Sequence, residues 1–228
     1  MKKALLVGAS GYVGRFLLDE LLNSNKYEKV TIVVRRDLGI SHPKLKTLLG
    51  DYSTFASLKD EIEVDDVFIT LGSTRKKTPD LKKYYEIDHD YPVLISQIAK
   101  EKGAKSVLLL TAVGSNVNSS MFYVRTKGEV ERDVIAQNFD YTHIFRPSMI
   151  LGDRKEFRLM EKMFLGIWPL VDGLLGLMGA SKYKGIKGEL IAKAMANAAQ
   201  KETSKVAFYE YDQMMALVDE KPVSGNEQ

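Results

Sequence analysis

Three groups of residues in this chain have the types and spacing to do chemistry. The first is Gly8-Ala9-Ser10-Gly11-Tyr12-Val13-Gly14, a G-x-x-G-x-x-G run that follows a short apolar stretch and opens a helical pattern. In that position Gly8 permits a tight turn, Gly11 lets the backbone approach a pyrophosphate, and Gly14 lets helix and strand pack closely. The helix N-terminus adds amide donors and the positive end of its dipole. Gly8, Ser10, Gly11, Tyr12, Val13 and Gly14 are therefore the candidate phosphate cradle of a dinucleotide. Gly173, Gly176 and Gly179 repeat the spacing, but no strand precedes them, and an apolar segment with a small-residue face accounts for that copy.

The second group bears on which dinucleotide. About twenty residues past the last glycine, an acid would bond a ribose 2′-hydroxyl. Here the second strand candidate ends Val33-Val34-Arg35-Arg36. Guanidinium groups match a 2′-phosphate, which a carboxylate would repel. Arg15 adds positive charge beside the loop, and Asp37 keeps the hydroxyl alternative open. NADP(H) is the expected cofactor and NAD(H) the alternative.

The third group is Tyr123-Val124-Arg125-Thr126-Lys127. At i and i+4 of a helix, the phenol and the ammonium lie on one face. A free phenol ionises about three pH units too high for efficient proton transfer at neutrality, and a nearby ammonium favours the phenolate. Tyr123 is the candidate acid/base; Lys127 is its tuner and a holder of the nicotinamide ribose. A second Y-x-x-x-K match, Tyr183 to Lys187, shows that spacing alone proves nothing. Placement separates the two. Tyr123 opens the helix after a strand, near the carboxyl edge where such sheets bind ligands.

Those groups need a scaffold. Strands are predicted at Lys3–Val7, Lys29–Arg35, Leu45–Leu49, Asp66–Leu71, Ser106–Thr111, Tyr141–Arg146 and Lys205–Tyr209. Helices are predicted at Gly11–Asn23, Thr54–Glu61, Asp80–Lys102, Ser120–Asn138 and Lys187–Lys201. Most of the strands are apolar on both faces, as in a parallel sheet covered by helices. The alternation predicts an α/β, Rossmann-type, doubly wound and mostly parallel sheet with helices on both faces. Pro92 divides the pattern 80–102 into two helices, with Tyr91 extended between them. Residues 148–186 hold Trp168, Pro169 and no clean strand, and are expected to form a lid or substrate-side insertion within a single domain of 1–228. The polar tail 220–228 is expected to fray.

Composition narrows the classes. The chain has 228 residues, 33 basic and 30 acidic, for a net charge of +3. At this size it buries roughly 70% of its unfolded surface without staples. Zero cysteines excludes disulfides, thiolate metal sites and a cysteine nucleophile. His42, His89 and His143 stand at no ligand spacing, so no metal is expected. The charge is too small to imply nucleic acid, and Arg75-Lys76-Lys77 with Lys82-Lys83 reads as a solvated helix entrance. Met160, Met163, Phe164 and Trp168 form an apolar group that suits a core, a lid, a substrate wall or a subunit contact. The apolar run after Lys3 stops at Gly8, too short for a signal peptide, and 163–180 is broken by Pro169 and Asp172. A cytoplasmic chain with no membrane span is expected.

The whole set resembles the short-chain dehydrogenase/reductase superfamily, and more narrowly its atypical NAD(P)-binding branch, the Tat-interacting-protein oxidoreductase-like group. The resemblance runs from about Lys3 to Met163. It rests on Gly8–Gly14, Leu71-Gly72-Ser73-Thr74-Arg75, Ile87-Asp88-His89-Asp90-Tyr91, Tyr123 through Val130, and Phe145-Arg146-Pro147. It implies a Rossmann-type fold and hydride chemistry, with Tyr123 protonating a carbonyl oxygen as hydride arrives. It also implies Leu71, Gly72 and Ser73 along the cofactor, Asp51 near the adenine, and Pro147 and Ser148 flanking the nicotinamide. The superfamily's serine at the end of the fifth strand is absent from Leu110-Thr111-Ala112-Val113-Gly114-Ser115. Thr111 is the first candidate to replace it and Ser115 the second. An NADP(H)-dependent oxidoreductase of a small carbonyl or alcohol is expected; the alternative is a non-catalytic NADP(H) sensor that binds a protein partner.

Overall fold

The computed structural model describes residues 1–74, 76–152, 180–201 and 203–220. The first half runs β1 (Lys2–Val7), α1 (Tyr12–Asn23), β2 (Tyr27–Val34), β3 (Leu45–Leu49), α2 (Tyr52–Phe55) and β4 (Asp66–Ile69), with a 3-10 turn at Ala56–Glu61. Next come α3 (Leu81–Tyr85), a π turn at Glu86–Asp90, α4 (Tyr91–Glu101), β5 (Ser106–Leu110), α5 (Phe122–Ala136) and β6 (Tyr141–Phe145). The described remainder holds β7 (Ile150–Leu151), β8 (Ile186–Lys187), α6 (Gly188–Ala198), β9 (Val206–Tyr209) and α7 (Tyr211–Asp219).

Seven strands form one sheet in the order β3-β2-β1-β4-β5-β6-β9, and every neighbouring pair is parallel. The order reverses between β1 and β4, and in such sheets a crevice opens at that point, beyond the strands' carboxyl ends. Alternate side chains feed two cores. Ala4, Leu6, Ile32, Phe68 and Leu108 join Leu17, Leu21, Ile191 and Met214 on the face covered by α1, α6 and α7. Leu5, Val33, Val67, Leu109 and Ile144 join Phe55, Ile95, Val130 and Val134 on the other. This is the expected α/β, doubly wound architecture, and all seven expected strands begin and end within two residues of their expected bounds.

Several local expectations differ. Tyr91 is helical (φ −64°, ψ −53°), so α3, the π turn and α4 run on without an extended break. Pro92 falls in the first turn of α4, where its missing N–H is tolerated, and the wider π turn ahead gives its ring room. Residues 54–61 divide between α2 and the 3-10 turn, because Asp51 caps a helix only four residues long. Helix α7 and the short β7–β8 pair were not anticipated. Of the expected lid, residues 153–179 lie outside the described residues, with Gly173, Gly176, Gly179 and the apolar group at 160–168; so does the tail 221–228.

Candidate functional site

A cavity of about 480 Å³ opens at the reversal point of the sheet. Gly8, Ser10 and Gly11 form its floor; Arg35, Asp51 and Tyr52 form one wall; Leu71, Gly72 and Ser73 form the other. Lys77, Thr78 and Tyr91 border it as well.

The floor is shaped by close backbone approach. Gly8 has φ +99°, and a Cβ there would meet Thr70 Oγ1 at 2.5 Å. A Cβ on Gly14 would sit 2.0 Å from the Gly8 carbonyl oxygen, so helix α1 packs against the loop only with a glycine there. Gly11 caps α1 without a side-chain bond, and no acid stands in the first turn. The amide end of α1, beside Ser10 and Gly11 of the cavity floor, therefore carries no acid of its own first turn. Val13 and Gly14 are buried behind this floor. Tyr12 turns away from it: its hydroxyl donates to the Leu151 carbonyl at 3.1 Å, and its ring packs over Gly152 and Gly188.

On the first wall, Arg35 is exposed and borders the cavity; Arg36 is exposed and does not. The Asp51 carboxylate accepts from the Ser53 hydroxyl (2.7 Å) and amide (2.9 Å), and the hydroxyl above all holds its carboxyl below the usual range. Tyr52 and Tyr91 stack with centroids 3.8 Å apart and planes 9° from parallel.

The second wall leads to the tyrosine–lysine pair. A Cβ built on Gly72 would lie 3.9 Å from Lys127 Nζ, so the ammonium lies near Gly72 of the cavity wall, although neither Lys127 nor Tyr123 is among the residues that line the cavity. Lys127 pairs with Asp88, Nζ to Oδ1 at 2.7 Å, with both side chains buried. The other Asp88 oxygen accepts from the Ser73 amide at 2.8 Å. Burial works against the Lys127 charge, but Asp88, Tyr123 and Glu131 together hold its pKa above the ordinary value. Tyr123 feels both partners. Burial raises its pKa, Lys127 lowers it and Asp88 raises it, and the net direction is up. The expected lowering by Lys127 is present but outweighed.

Thr111 and Ser115 lie elsewhere. The Thr111 hydroxyl reaches Glu131 Oε1 at 2.6 Å and the Phe145 carbonyl at 3.2 Å. Ser115 donates to the Ala112 carbonyl at 2.7 Å and borders a separate hollow of about 410 Å³ beside Arg146 and Phe208. The Pro147 carbonyl accepts from the Val113 amide at 2.9 Å. Ser148 Oγ is buried with no hydrogen-bond partner among the described residues.

A family model described as NAD(P)H-binding matches residues 8–163. The chain belongs to this NAD(P)H-binding family. It is 31% identical to the protein named FMP52, mitochondrial, of Eremothecium gossypii over 222 residues, covering 96% of this chain and 98% of that one. It is 34% identical to HTATIP2 of Rattus norvegicus over 175 residues, 74% of this chain and 72% of that one. The crystal structure of the oxidoreductase ylbE from Lactococcus lactis superposes with a TM-score of 0.64 at 16% identity, covering 96% and 97% of the two chains. That likeness concerns the fold.

The family's cofactor fits the residues present. Glycines at 8 and 14 let the loop pack tightly on Thr70 and on its own backbone, Gly11 leaves the cavity side free of a side chain, and α1 has no side-chain cap and no acid in its first turn. The orphaned Ser148 hydroxyl suits a polar ligand group. Asp88 is the functional candidate whose role the spacing arguments missed. A signal existed: Tyr84, Asp88, Tyr91 and Ile95 fall on one helical stripe, and an acid among apolar neighbours there must find a buried partner.

Proposed function

We propose that this chain is an NADP(H)-dependent oxidoreductase that moves hydride to or from a small carbonyl or alcohol, with Tyr123 as acid/base. The observation that supports it best is Lys127, whose ammonium lies near Gly72 of the cavity wall while its charge acts on the Tyr123 hydroxyl. Gly8, Ser10 and Gly11 would seat the pyrophosphate, with Val13 and Gly14 shaping the loop from behind. Arg35 would pair with the 2′-phosphate, with Arg36 adding charge nearby. Asp51 would line the adenine side, and Leu71 to Ser73 would run along the cofactor toward Pro147 and Ser148. Lys127 keeps its contact with Asp88 and turns N–H donors to ribose hydroxyls. When bound, the nicotinamide supplies or takes up hydride. Tyr123 then gives its proton to the carbonyl oxygen, or takes one from the alcohol.

The deciding experiment pairs calorimetry with turnover. NADPH should bind, and Tyr123→Phe should keep that affinity while removing reduction of any carbonyl the parent reduces. Unchanged turnover in Tyr123→Phe removes Tyr123 from the chemistry.

One observation favours a second reading, a non-catalytic NADP(H) sensor with a protein partner. Both candidate replacements for the missing serine, Thr111 and Ser115, have their hydroxyls engaged within the protein. A parent that binds NADPH yet reduces no carbonyl in a broad panel supports the sensor.

No helix among the described residues is long and apolar enough to cross a membrane. We retain a cytoplasmic location. The name of the Eremothecium gossypii relative places that protein in mitochondria, and fractionation that finds this chain there overturns our choice.

A further inference from the structure

Asp88 is one of the most deeply buried charged side chains among the described residues, at 1% exposure, and it joins Ser73 of the second wall to Lys127. One oxygen stands 2.7 Å from the Lys127 ammonium and the other takes the Ser73 amide at 2.8 Å. The π turn at Glu86–Asp90 explains how. Asp88 and His89 are both buried, and this widened turn sends them to different partners. Asp88 goes to Lys127 and Ser73. His89 goes to Asp90 (2.8 Å) and to Asp133 of α5 (2.9 Å), with Tyr85 stacked on its ring. Two short polar contacts thus pin the turn that carries Asp88. Widened turns of this kind recur at functional sites.

We propose that Asp88 is a positioning residue, whose carboxylate fixes the Lys127 ammonium beside Gly72 and cancels much of the charge that Lys127 would otherwise deliver to the Tyr123 hydroxyl. A buried ammonium without a counter-ion is strongly disfavoured, so Asp88 is what lets Lys127 stay charged near the cavity wall. The same carboxylate repels a phenolate at Tyr123. The charged groups acting on Lys127 are Asp88, Tyr123 and Glu131, and those acting on Tyr123 are Lys127 and Asp88. Glu131 is itself paired with Arg146. A site so arranged keeps Tyr123 as the neutral phenol, the form that gives a proton. Resting on the oxidoreductase reading, this leaves Tyr123 in the protonated form from which carbonyl reduction starts.

The test follows Tyr123 ionisation directly, in the protein without nucleotide. Tyrosine labelled at Cζ is incorporated, its signals are followed by NMR against pH, and the Tyr123 signal is assigned with Tyr123→Phe. Asp88→Asn keeps the side-chain shape and an acceptor for the Ser73 amide but removes the charge. Its Tyr123 transition should move down by about one pH unit or more, within the range expected of a neighbouring charge. Asp88→Glu, which restores the charge, should bring the transition back toward that of the parent. A folded Asp88→Asn protein with an unmoved transition overturns the proposal.

A second comparison stands if Asp88→Asn does not fold. Lys127→Met leaves a lone carboxylate beside the phenol, while Asp88→Asn/Lys127→Met leaves neither charge. The double variant should ionise Tyr123 at lower pH than Lys127→Met; equal transitions overturn the proposal. Neither comparison uses NADPH. A failure of the oxidoreductase reading shows instead as absent cofactor binding or turnover in the parent.

Discussion

The Thr111 hydroxyl stands 2.6 Å from Glu131 Oε1, and the same carboxylate takes Arg146 through Nε at 3.0 Å and Nη2 at 2.5 Å. The Glu131 side chain is 5% exposed, so this is a buried carboxylate satisfied from three sides. A hydroxyl has one proton to give, and here a carboxylate takes it. Thr111 closes the junction of β5, β6 and α5.

From this relationship Thr111→Val should be a stability variant. Losing one hydrogen bond to a charged group costs about 1.5–3 kcal/mol, partly offset because Arg146 still serves Glu131. Urea denaturation should show the loss. Carbonyl reduction should keep its kcat/KM within about threefold. A fall of roughly a hundredfold, the size expected when an oxyanion donor is removed, would return Thr111 to the substrate's carbonyl.

Arg35 tests cofactor choice. It borders the cavity at the end of β2, and Arg36 beside it does not. A guanidinium bound to phosphate is a charge-assisted contact worth about 1.5–3 kcal/mol, so Arg35→Asp should weaken NADPH by roughly ten- to a hundredfold. NADH should become the tighter ligand. Arg36→Asp should have a smaller effect. Calorimetry on the parent that shows NADH already preferred refutes the assignment.

Much of the scaffold was legible because it repeats. Leu5 and Leu6, or Val33 and Val34, feed opposite cores, so the parallel strands are apolar on both faces and stand out as runs. Tyr91 was harder. A proline ordinarily forces its neighbour out of the helical region, and nothing local announces that a π turn will make room. Thr111 shows the other difficulty. Its position at a strand's end was readable, but which way its hydroxyl turns depends on Glu131, twenty residues on. The glycine loop was readable because Gly11 and Gly14 answer contacts with Gly8 in their own turn, whereas Gly8 answers Thr70, just past the end of β4.

Two of those glycines should behave differently when substituted. A Cβ on Gly11 would lie 3.1 Å from the Gly8 carbonyl, tight but on backbone that any residue adopts (φ −77°, ψ 170°). Gly11→Val should therefore fold and lose NADPH, because the new side chain stands where the pyrophosphate must approach. Gly14→Ala would drive a methyl to 2.0 Å from the same carbonyl, against backbone that cannot swing away. It should lose stability outright, by about 1–3 kcal/mol as for other overpacked sites. Thermal melts and calorimetry separate the two. Normal NADPH affinity in Gly11→Val refutes the cradle.

His143 sets an acid limit on the fold, far from the chemistry. It is buried in β6, where Nδ1 meets the Tyr209 hydroxyl at 2.9 Å. Burial, and then the charge of Lys2, lower its pKa from 6.5 to about 4. The unfolded chain therefore takes up a proton on this ring as pH falls below about 6.5, and the folded chain does not until about 4. Stability from the neutral ring is whole above the first value, is lost progressively as pH falls through the window, and declines no further from this source below about 4. The difference amounts to about 3 kcal/mol. Urea denaturation between pH 7 and pH 4 should show that slope in the parent, and His143→Gln, which has nothing to titrate, should flatten it. An equal slope in both proteins would assign the acid sensitivity to the carboxylates instead.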